Sequence, residues 1–441
     1  MSRPSRFRVI RDPLWDSIRL DQTAVRIIDT PEFQRLRYIR QLGFAHLVYP
    51  GATHTRFDHA VGVYHLARTA LRFLKERKPL PEEVWEGEAL IPYAALLHDI
   101  GHFAFSHALE ELEPEKIPGD HEEVASQFFR STELQKALGG LGPEAADRIH
   151  SLIRGEGEVP LRGLVSGSLD LDKMEYLRRD ARFCGVPYGE VDVDRLIQGL
   201  VLLPDPHTGL YEVGMHEKAV ASLESLLFAK YQMFRNVYWH HGVRAATALY
   251  KRIVEEAVRE GLVSPAELVG PTDEELLYEI GRRAKGLGTD GSSRIRDRWL
   301  PALWSRRIPK RALELTAADL AQIPIPSWLG TDSPRLRQLE DRLADGLDLE
   351  PGEVVVDYPV KAAMFHLDLL LEKRSGEVAR VGPEGLPGVI DLPRVAEELY
   401  RTARVLRVFT FQRRTVTPES FLAALRQEEE EHLEPSSRRG V

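Results

Sequence analysis

Two histidines and two aspartates are the side chains of this sequence best suited to carry out chemistry. His98 and Asp99 are adjacent in LLHDIGH, His59 precedes them in HTRFDHAVG, and Asp172 follows them in SLDLDKMEYLRRD. Two imidazoles and two carboxylates form a mixed set that can hold one divalent transition metal: Mn, Fe, Ni, Co or Zn. Such a metal lowers the pKa of bound water and supplies hydroxide near neutral pH. The four residues therefore predict metal-assisted hydrolysis.

Three further histidines, His102, His107 and His121, follow the His–Asp pair closely. Histidine titrates near neutral pH and can give or take protons during phosphoester cleavage. Asp120 and Glu122 flank His121, and a carboxylate can orient a histidine and raise its pKa. We therefore predict that these five residues are catalytic. The alternative interpretation is that the histidines lie on a surface loop.

Two cations stand close to the predicted metal ligands. Arg56 lies three residues before His59, so the two share one side if that stretch is helical, and Lys173 directly follows Asp172. A fixed cation beside a phosphate stabilises the charge that develops in the transition state. Both residues are therefore predicted to bind substrate phosphates. The alternative for Arg56 is a salt bridge with Asp58 or another acid.

Helices must position these residues. Apolar residues recur with a helical period over 60–76 and 88–98, and 168–179 and 219–250 are predicted as further helices. Adjacent side chains on a regular helix diverge by about 100°. His98 and Asp99 can therefore reach one metal only near a helix end, and Gly101 supplies such an end.

The residue composition of the sequence changes after Pro351. Residues 353–358 and 405–411 are β-branched and aromatic and predict strands, with a helix over 392–401 between them, while 286–293 predicts a flexible loop. The predicted fold class is mainly α, a helical core with a smaller α+β C-terminal region. The predicted domains are 1–255 for the catalytic core, including an N-terminal strand or arm over 1–20, 256–430 for a C-terminal region serving packing and assembly, and 431–441 for a frayed tail.

Composition narrows the class of protein. The 441 residues include 59 basic and 68 acidic side chains, a formal charge of −9. This balance argues against an obligate nucleic-acid binder, which usually has a basic excess, although it leaves room for a local basic cleft. The single cysteine, Cys184, excludes an internal disulfide and fits a cytoplasmic location. The N-terminal stretch lacks the apolar region of a signal peptide, and no segment approaches the roughly 20 apolar residues of a membrane span.

Three segments together resemble a known family. RIIDTPEFQRLRYIRQLGFAHLVYPGATHTRFDHAVGV, LLHDIGHFAFSH and DLDKMEYLRRD are similar to segments of the HD-domain deoxynucleoside triphosphate triphosphohydrolases. The resemblance is to the branch that includes the vertebrate dNTPase that restricts retroviruses and its bacterial relatives. It is strong from Phe7 to Val243 and weaker through DYPVKAAMFHLDLLL and ARVLRVFTF. The His–Asp dipeptide alone occurs in many phosphohydrolases, whereas GATHTRFDH and DLDKMEY are more specific.

The resemblance implies an HD-domain core that hydrolyses dNTPs to deoxynucleoside and inorganic triphosphate. It implies the metal ligands already named, with Mg²⁺ as a further ion on the substrate phosphates. The residues it assigns to the substrate are Arg56, Lys173 and Lys230 on phosphates, Gln41 and Asp180 on the sugar 3′-hydroxyl, Tyr176 and Tyr238 at the 2′ position, and Leu42 on the base. An aromatic wall at the 2′ position excludes an added hydroxyl sterically and leaves it without a partner.

The resemblance also implies a homotetramer that is allosterically activated by dGTP, GTP or another dNTP bound between subunits. The residues it assigns to this effector are Arg8, Val9, Asp29, Gln34 and Arg37. A carboxylate pairs with guanine N1–H and N2–H₂, and an arginine with O6 and N7. The alternative is that Asp29 and Arg37 pair with each other. Two departures from the family pattern bear on activation: DPLWDSI replaces a DPIHG-type turn, and His241 stands where a lysine is common.

Other functions stay open on the residues alone. One alternative is a nuclease acting on single-stranded DNA, or a phosphatase or phosphodiesterase acting on another nucleotide. The acidic balance tells against a nuclease, and Tyr176, Tyr238 and Asp180 favour a mononucleotide. A second alternative is a nucleotide sensor without catalysis, which the complete set of metal positions disfavours.

Overall fold

The structure, a computed structural model, describes residues 7–77, 79–321, 323, 325–330, 333–359, 367–382 and 391–433. Helices dominate and the sheets are small, so the predicted mainly α class is confirmed. The chain forms two compact units, each built from separate stretches. The first unit contains the described parts of 1–105, 119–234 and 363–400, and the second contains those of 106–118, 235–362 and 401–441. The predicted boundary at residue 255 separates two continuous domains, whereas each unit here is built from separate stretches of the chain. The predicted boundary stays a prediction.

Helices of very different lengths make up most of the described chain. They are α1 (Gln22–Ile28), α2 (Pro31–Gln34), α3 (Arg56–Arg77), α4 (Ile91–Leu97), α5 (Ser106–Leu109), α6 (His121–Phe129), α7 (Thr132–Leu138), α8 (Ala145–Ile153), α9 (Leu171–Cys184), α10 (Val193–Gly199), α11 (Val220–Met233), α12 (His241–Arg259), α13 (Asp273–Ala284), α14 (Asp290–Ser293), α15 (Leu300–Trp304), α16 (Ala317–Leu320), α17 (Ser333–Asp345), α18 (Leu392–Ala403) and α19 (Pro418–Leu433). Short 3₁₀ turns join several of them, and Phe234–Tyr238 and Arg294–Trp299 are π-helical. In the described part of the chain, none of the helices has both the length and the apolar character needed to cross a bilayer.

Nine strands in the described residues form three sheets. The strands are β1 (Arg8–Asp12), β2 (Asp16–Leu20), β3 (Leu200–Pro204), β4 (Tyr211–His216), β5 (Lys310–Leu315), β6 (Val354–Asp357), β7 (Leu369–Glu372), β8 (Val378–Val381) and β9 (Leu406–Thr410). In the first unit, β1 and β2 form an antiparallel hairpin, and a second sheet has the order β3-β4-β7-β8 with β4 and β7 parallel. In the second unit, the order is β5-β9-β6, all antiparallel.

Each unit has its own apolar core. In the first unit, α3 packs against α4 and α9, and its buried residues include Tyr64 and Leu66. In the second unit, α17 and α19 cover one face of the three-stranded sheet, with Leu339, Val408 and Phe421 at the centre. The predicted residues of the metal site lie in the first unit, which is therefore the part of the fold that positions the chemistry.

Three predicted elements differ in the structure. The single helix over 219–250 is wrong, because α11 ends at Met233 and α12 begins only after His240, whose Nδ1 accepts the Gly242 N–H at 3.1 Å. The flexible loop over 286–293 is wrong in its second half, where Thr289 caps α14. The tail is helical as far as Leu433, and 434–441 lie outside the described residues.

Candidate metal centre

Helix α3 presents His59 from its first turn. The helix begins with a capping box, in which the Asp58 carboxylate accepts the Thr55 N–H and hydroxyl, both at 2.9 Å. Arg56, His59 and Gly62 then follow at intervals of three and share one helix face. The side chain of His59 is fully buried and that of Arg56 nearly so. The predicted helical relation between Arg56 and His59 is confirmed.

Helix α4 ends at the His–Asp pair. Its last residue is Leu97, and Ile100 N–H bonds back to the Leu97 carbonyl in a turn that follows. A Cβ on Gly101 would lie 1.9 Å from the His121 carbonyl oxygen, so only glycine permits α6 to begin here. The predicted helix end is therefore confirmed, and it lets His98 and Asp99 point toward one place despite being neighbours in sequence.

The buried face of helix α9 lies next to His59, His98 and Asp99. Asp170 caps the helix by accepting the Lys173 N–H at 3.0 Å, which satisfies one of the free donors of the first turn. Asp172, Glu175 and Arg179 follow at helical spacing, and Glu175 and Arg179 are fully buried. Charged residues at these depths are rare unless they are paired, so this face is built around specific partners.

The ligand atoms of three predicted metal ligands converge. His59 Nε2 lies 2.9 Å from Asp172 Oδ1 and 3.1 Å from His98 Nε2, and His98 Nε2 lies 3.6 Å from Asp172 Oδ1. These three atoms all lie within 4.8 Å of one another. Asp99 is beside them, with Oδ1 3.3 Å from His98 Nε2 and Oδ2 3.9 Å from His59 Nε2. The structure thus brings together all four residues.

The hydrogen bonds of the two histidines make this group suited to a metal. His98 Nδ1 lies 2.8 Å from the Ala95 carbonyl oxygen, which only accepts, so this nitrogen carries a proton. His59 Nδ1 lies 2.7 Å from Glu175 Oε2 and donates to that carboxylate. The Nε2 atoms of both rings face each other and Asp172. Burial lowers the pKa of both histidines, but hydrogen bonds with Asp172 and Glu175 raise the pKa of His59 to about 10, and Asp99 and Asp172 raise the pKa of His98, so the carboxylates favour positive charge at this point. Two imidazoles with carboxylates are also a donor set that a divalent transition metal binds once the imidazoles are deprotonated.

The carboxylates of the group are held ionised. Burial would raise the pKa of Asp99, but Arg56, which donates to Asp99 Oδ2 at 2.7 Å, and the neighbouring histidines hold it well below its usual value. Burial would likewise raise the pKa of Asp172, but hydrogen bonds from His59 and His98 hold it well below its usual value. Both side chains are therefore available as anionic ligands at neutral pH.

Two of the predicted catalytic histidines stack in the first unit. The rings of His102 and His121 are nearly parallel, with centroids 3.9 Å apart. His102 Nε2 also lies 3.1 Å from Asp99 Oδ1. Burial, with the positive charge of Arg56 and the neighbouring His121, holds the pKa of His102 well below its usual value. His102 is therefore neutral near neutral pH.

The other predicted catalytic residues lie in α5 or at the start of α6. His107 lies in the second unit, where its Nδ1 is 3.0 Å from Glu110 Oε2. Asp120 is the N-cap of α6, because its Oδ1 accepts the Glu123 N–H at 2.8 Å. Glu122 is exposed on the first turn of α6. Their catalytic roles stay predictions.

The residues predicted to hold the sugar meet through a histidine. Gln41 N–H donates to the His54 carbonyl oxygen at 3.1 Å, and His54 Nε2 lies 2.7 Å from Asp180 Oδ1. Gln41 Oε1 and His54 Nδ1 are buried and have no hydrogen-bond partner among the described residues. Leu42, predicted at the base, directly precedes the 3₁₀ turn Gly43–Leu47. Gln41 and Asp180 are thus linked through His54, by its backbone on one side and its ring on the other.

Of the residues predicted to contact phosphates or the sugar 2′ position, Lys173 and Tyr176 lie on α9, whereas Lys230 and Tyr238 lie elsewhere. Tyr176 stands edge-on to His59, with ring centroids 6.5 Å apart. The ammonium of Lys173 donates to the Gly167 carbonyl oxygen at 3.0 Å and to Asp170. Lys230 is buried near the end of α11, and Tyr238 lies in the second unit. Their contacts with substrate stay predictions.

The predicted effector residues lie at the surface of the first unit. Arg8 and Asp29 form an exposed ion pair at 3.7 Å, and Val9 is also exposed. Arg37 donates to Gln34 Oε1 at 2.9 Å and covers the Phe57 ring at 3.4 Å. The alternative pairing of Asp29 with Arg37 is therefore not the one that the structure contains. An effector role for these residues stays a prediction.

Sequence reasoning missed two residues of the site. Glu175 is the partner of His59 Nδ1, and His54 is the partner of Asp180. Glu175 follows Asp172 by three residues, a spacing that places both on one helix face and could have indicated a role. His54 precedes the capping box of α3, and nothing in its local pattern indicates its contact with α9.

Comparisons with known proteins agree with this geometry. A family model described as "HD domain" matches 56–166, and one described as "HD associated region" matches 191–381. An uncharacterized protein of Methanocaldococcus jannaschii is 32% identical over 363 residues, which is 81% of this chain and 71% of that protein. "Deoxynucleoside triphosphate triphosphohydrolase SAMHD1" of Gallus gallus is 31% identical over 270 residues, 53% of this chain and 42% of that protein. The match therefore spans less than half of the length of that second relative.

A solved structure supports the fold. The crystal structure of a hypothetical protein from Aquifex aeolicus superposes with a TM-score of 0.66 at 24% sequence identity. The match covers 96% of this chain and 100% of that chain. At this identity the likeness concerns the fold alone.

Proposed function

The chain belongs to the HD-domain hydrolase family, and we propose that it hydrolyses dNTPs to deoxynucleoside and inorganic triphosphate. The observation that carries the proposal is the convergence of His59, His98 and Asp172 beside the buried cation Arg56. Relatives at about 30% identity that are named deoxynucleoside triphosphate triphosphohydrolases support the choice of substrate.

The residues of the site divide the work of such a reaction. When bound by His59, His98, Asp99 and Asp172, a divalent metal supplies a water of lowered pKa and polarises a phosphoryl oxygen. Arg56, held by Asp99, places a fixed positive charge beside the phosphate, where it stabilises developing negative charge.

Proton transfer falls to the stacked histidines. The oxygen of water bonds to the α-phosphorus while the bond from phosphorus to the 5′ oxygen breaks. We assign the acceptance of the proton from this water to His102, which stacks on His121 beside Asp99. The 5′ oxygen must gain a proton to leave as a nucleoside hydroxyl, and we assign this donation to His121.

The sugar pocket distinguishes deoxyribose from ribose in this proposal. Gln41 and Asp180 bind the 3′-hydroxyl, and Tyr176 occupies the space next to C2′. The orphaned Gln41 Oε1 supports this assignment, since a buried acceptor without a partner costs free energy that a substrate hydroxyl would recover.

Removing the aromatic wall is expected to admit ribonucleotides. In Tyr176→Ala, the ratio of kcat/KM for dATP to that for ATP should fall by roughly 10- to 100-fold, because a hydroxyl is rejected mainly by sterics at an apolar wall. The measurement is steady-state hydrolysis of the two nucleotides by the same preparation. Tyr176→Phe is the matched control and should keep the preference, since it retains the ring. An unchanged ratio in Tyr176→Ala would remove the gate assignment.

We further propose that Arg8, Val9, Asp29, Gln34 and Arg37 bind a guanine nucleotide between subunits of a homotetramer. Arg37→Ala should then change the dependence of the rate on dGTP or GTP and leave the metal content as it is. Rates are measured with and without the second nucleotide, and subunit number by light scattering. Arg72→Ala, on the exposed side of α3, is the control. A wild-type rate that never depends on a second nucleotide would contradict the effector site.

Product analysis tests the reaction itself. Purified protein with Mn²⁺ or Mg²⁺ is given each dNTP singly and then all four together, and products are separated by ion exchange. Deoxynucleoside and triphosphate are the expected products, and activity only in the mixture would indicate nucleotide gating. Release of orthophosphate or pyrophosphate would keep a phosphohydrolase but overturn the reaction. Turnover of single-stranded DNA alone would favour a nuclease instead.

A further inference from the structure

The turn of the N-terminal hairpin reaches the partner of a metal ligand. Asp12 is the last residue of β1, and Trp15 lies in the turn before β2. The Trp15 indole N–H donates to Glu175 Oε1 at 2.9 Å, and Arg179 donates to Asp12 Oδ2 at 3.1 Å. The hairpin is therefore joined to α9 by both members of its buried Glu175–Arg179 pair.

Glu175 is held by donors on both of its oxygens. Oε2 faces His59 Nδ1 at 2.7 Å, while Oε1 accepts from Trp15 and from Arg179, whose Nε lies at 2.7 Å. No side chain fits at position 62 of α3, because a Cβ on Gly62 would lie 2.0 Å from Glu175 Oε1. This crowding leaves the carboxylate one orientation.

The turn that supplies Trp15 is itself fixed. Asp12 Oδ1 accepts the N–H groups of Leu14 and Trp15, both at 2.8 Å, so Asp12 binds the turn with one oxygen and Arg179 with the other. The Trp15 ring lies 5.9 Å from the His65 ring and carries the Arg178 guanidinium 4.9 Å from its centroid. The indole N–H therefore points to Glu175 because the ring is held on several sides.

We propose that Trp15 and Asp12 are positioning residues of the metal centre, which act on His59 through Glu175 and Arg179. The inference rests on the proposed metal-dependent function. A ligand histidine depends on the acceptor of its second nitrogen for tautomer and ring orientation, and that acceptor is here held by the hairpin turn. The hairpin thus completes the site without touching metal or substrate.

The test changes only the indole N–H. Trp15→Phe should weaken Mn²⁺ binding to the metal-free protein by about 10-fold, near the lower end of the effect of outer partners, measured by calorimetric titration. The visible spectrum of the Co²⁺-loaded variant should shift, since the orientation of a ligand changes. Trp85→Phe, the same substitution in the 3₁₀ turn Glu82–Trp85, should alter neither.

A second variant covers the case in which Trp15→Phe does not fold. Asp12→Asn keeps an acceptor for the turn and loses the charge that faces Arg179, and it should weaken Mn²⁺ binding in the same direction. If the wild-type chain binds Mn²⁺ and the folded variants bind it equally well, the inference is overturned but the proposed function is not. A wild-type chain that binds no Mn²⁺ would overturn the proposed function and the inference with it.

Discussion

Replacing Asp172 with alanine is expected to leave the protein without bound metal and without measurable hydrolysis of dNTPs. Asp172 Oδ1 lies 2.9 Å from His59 Nε2 and 3.6 Å from His98 Nε2, so its removal takes an anion from the centre of the group. Loss of a residue that only hydrogen-bonds to a metal ligand usually costs at most about 100-fold in activity. Turnover should fall by more than this, because the substitution removes a predicted ligand itself.

Metal content by mass spectrometry and turnover by product analysis check this expectation together. His98→Ala combined with Asp99→Ala should behave in the same way. Asp147→Ala, an aspartate on the exposed side of α8, is the control and should keep both properties. Full activity in a variant that demonstrably contains no metal would sink the proposed mechanism.

Replacing His121 with alanine is expected to separate metal binding from turnover. Its ring stacks on His102 rather than joining the convergent nitrogens of His59 and His98. The variant should therefore keep its metal while kcat falls by roughly 10²- to 10⁴-fold, the contribution usual for general acid–base catalysis.

The two readouts are made on one preparation, with folding checked by circular dichroism. The exposed His207 provides a matched His→Ala control, and that variant should turn over dNTPs like the wild type. Wild-type turnover in His121→Ala would refute its acid–base role. Loss of metal in His121→Ala would instead assign it to the metal centre.

Local signals in the sequence were sufficient to indicate the residues that converge at the candidate metal centre, but not the partners of those residues. The His–Asp pair, the helix end near Gly101 and the spacing of Arg56 and His59 are all visible in short segments. Glu175 and His54 act only through contacts made after α3 and α9 have packed. Their roles depend on tertiary structure, which periodicity and spacing do not encode.

The fold was predicted to a similar extent. Long helices such as α3 and α9 could be predicted from the helical period of their apolar residues. Strands β6 and β9 could be predicted from their β-branched and aromatic residues. The break between α11 and α12 was missed, because apolar residues continue through the π-helical turn and no proline or glycine marks it. Strands β7 and β8 are four residues each, too short for a periodic pattern to stand out.

The parallel pairing of β4 with β7 has a consequence for how the chain reaches its folded state. Gly214 pairs with Leu370, and a Cβ added to Gly214 would lie 2.5 Å from the Leu370 carbonyl oxygen. The two strands therefore meet at a close backbone contact between distant parts of the sequence. During synthesis, every residue of the metal centre leaves the ribosome long before β7 does, and until then β4 has an open hydrogen-bonding edge. Open edges template intermolecular pairing, and non-local pairing is slow. We therefore expect a nascent or truncated chain that ends at residue 255 to contain all four predicted metal ligands and yet to aggregate. A peptide spanning 367–382 should suppress that aggregation.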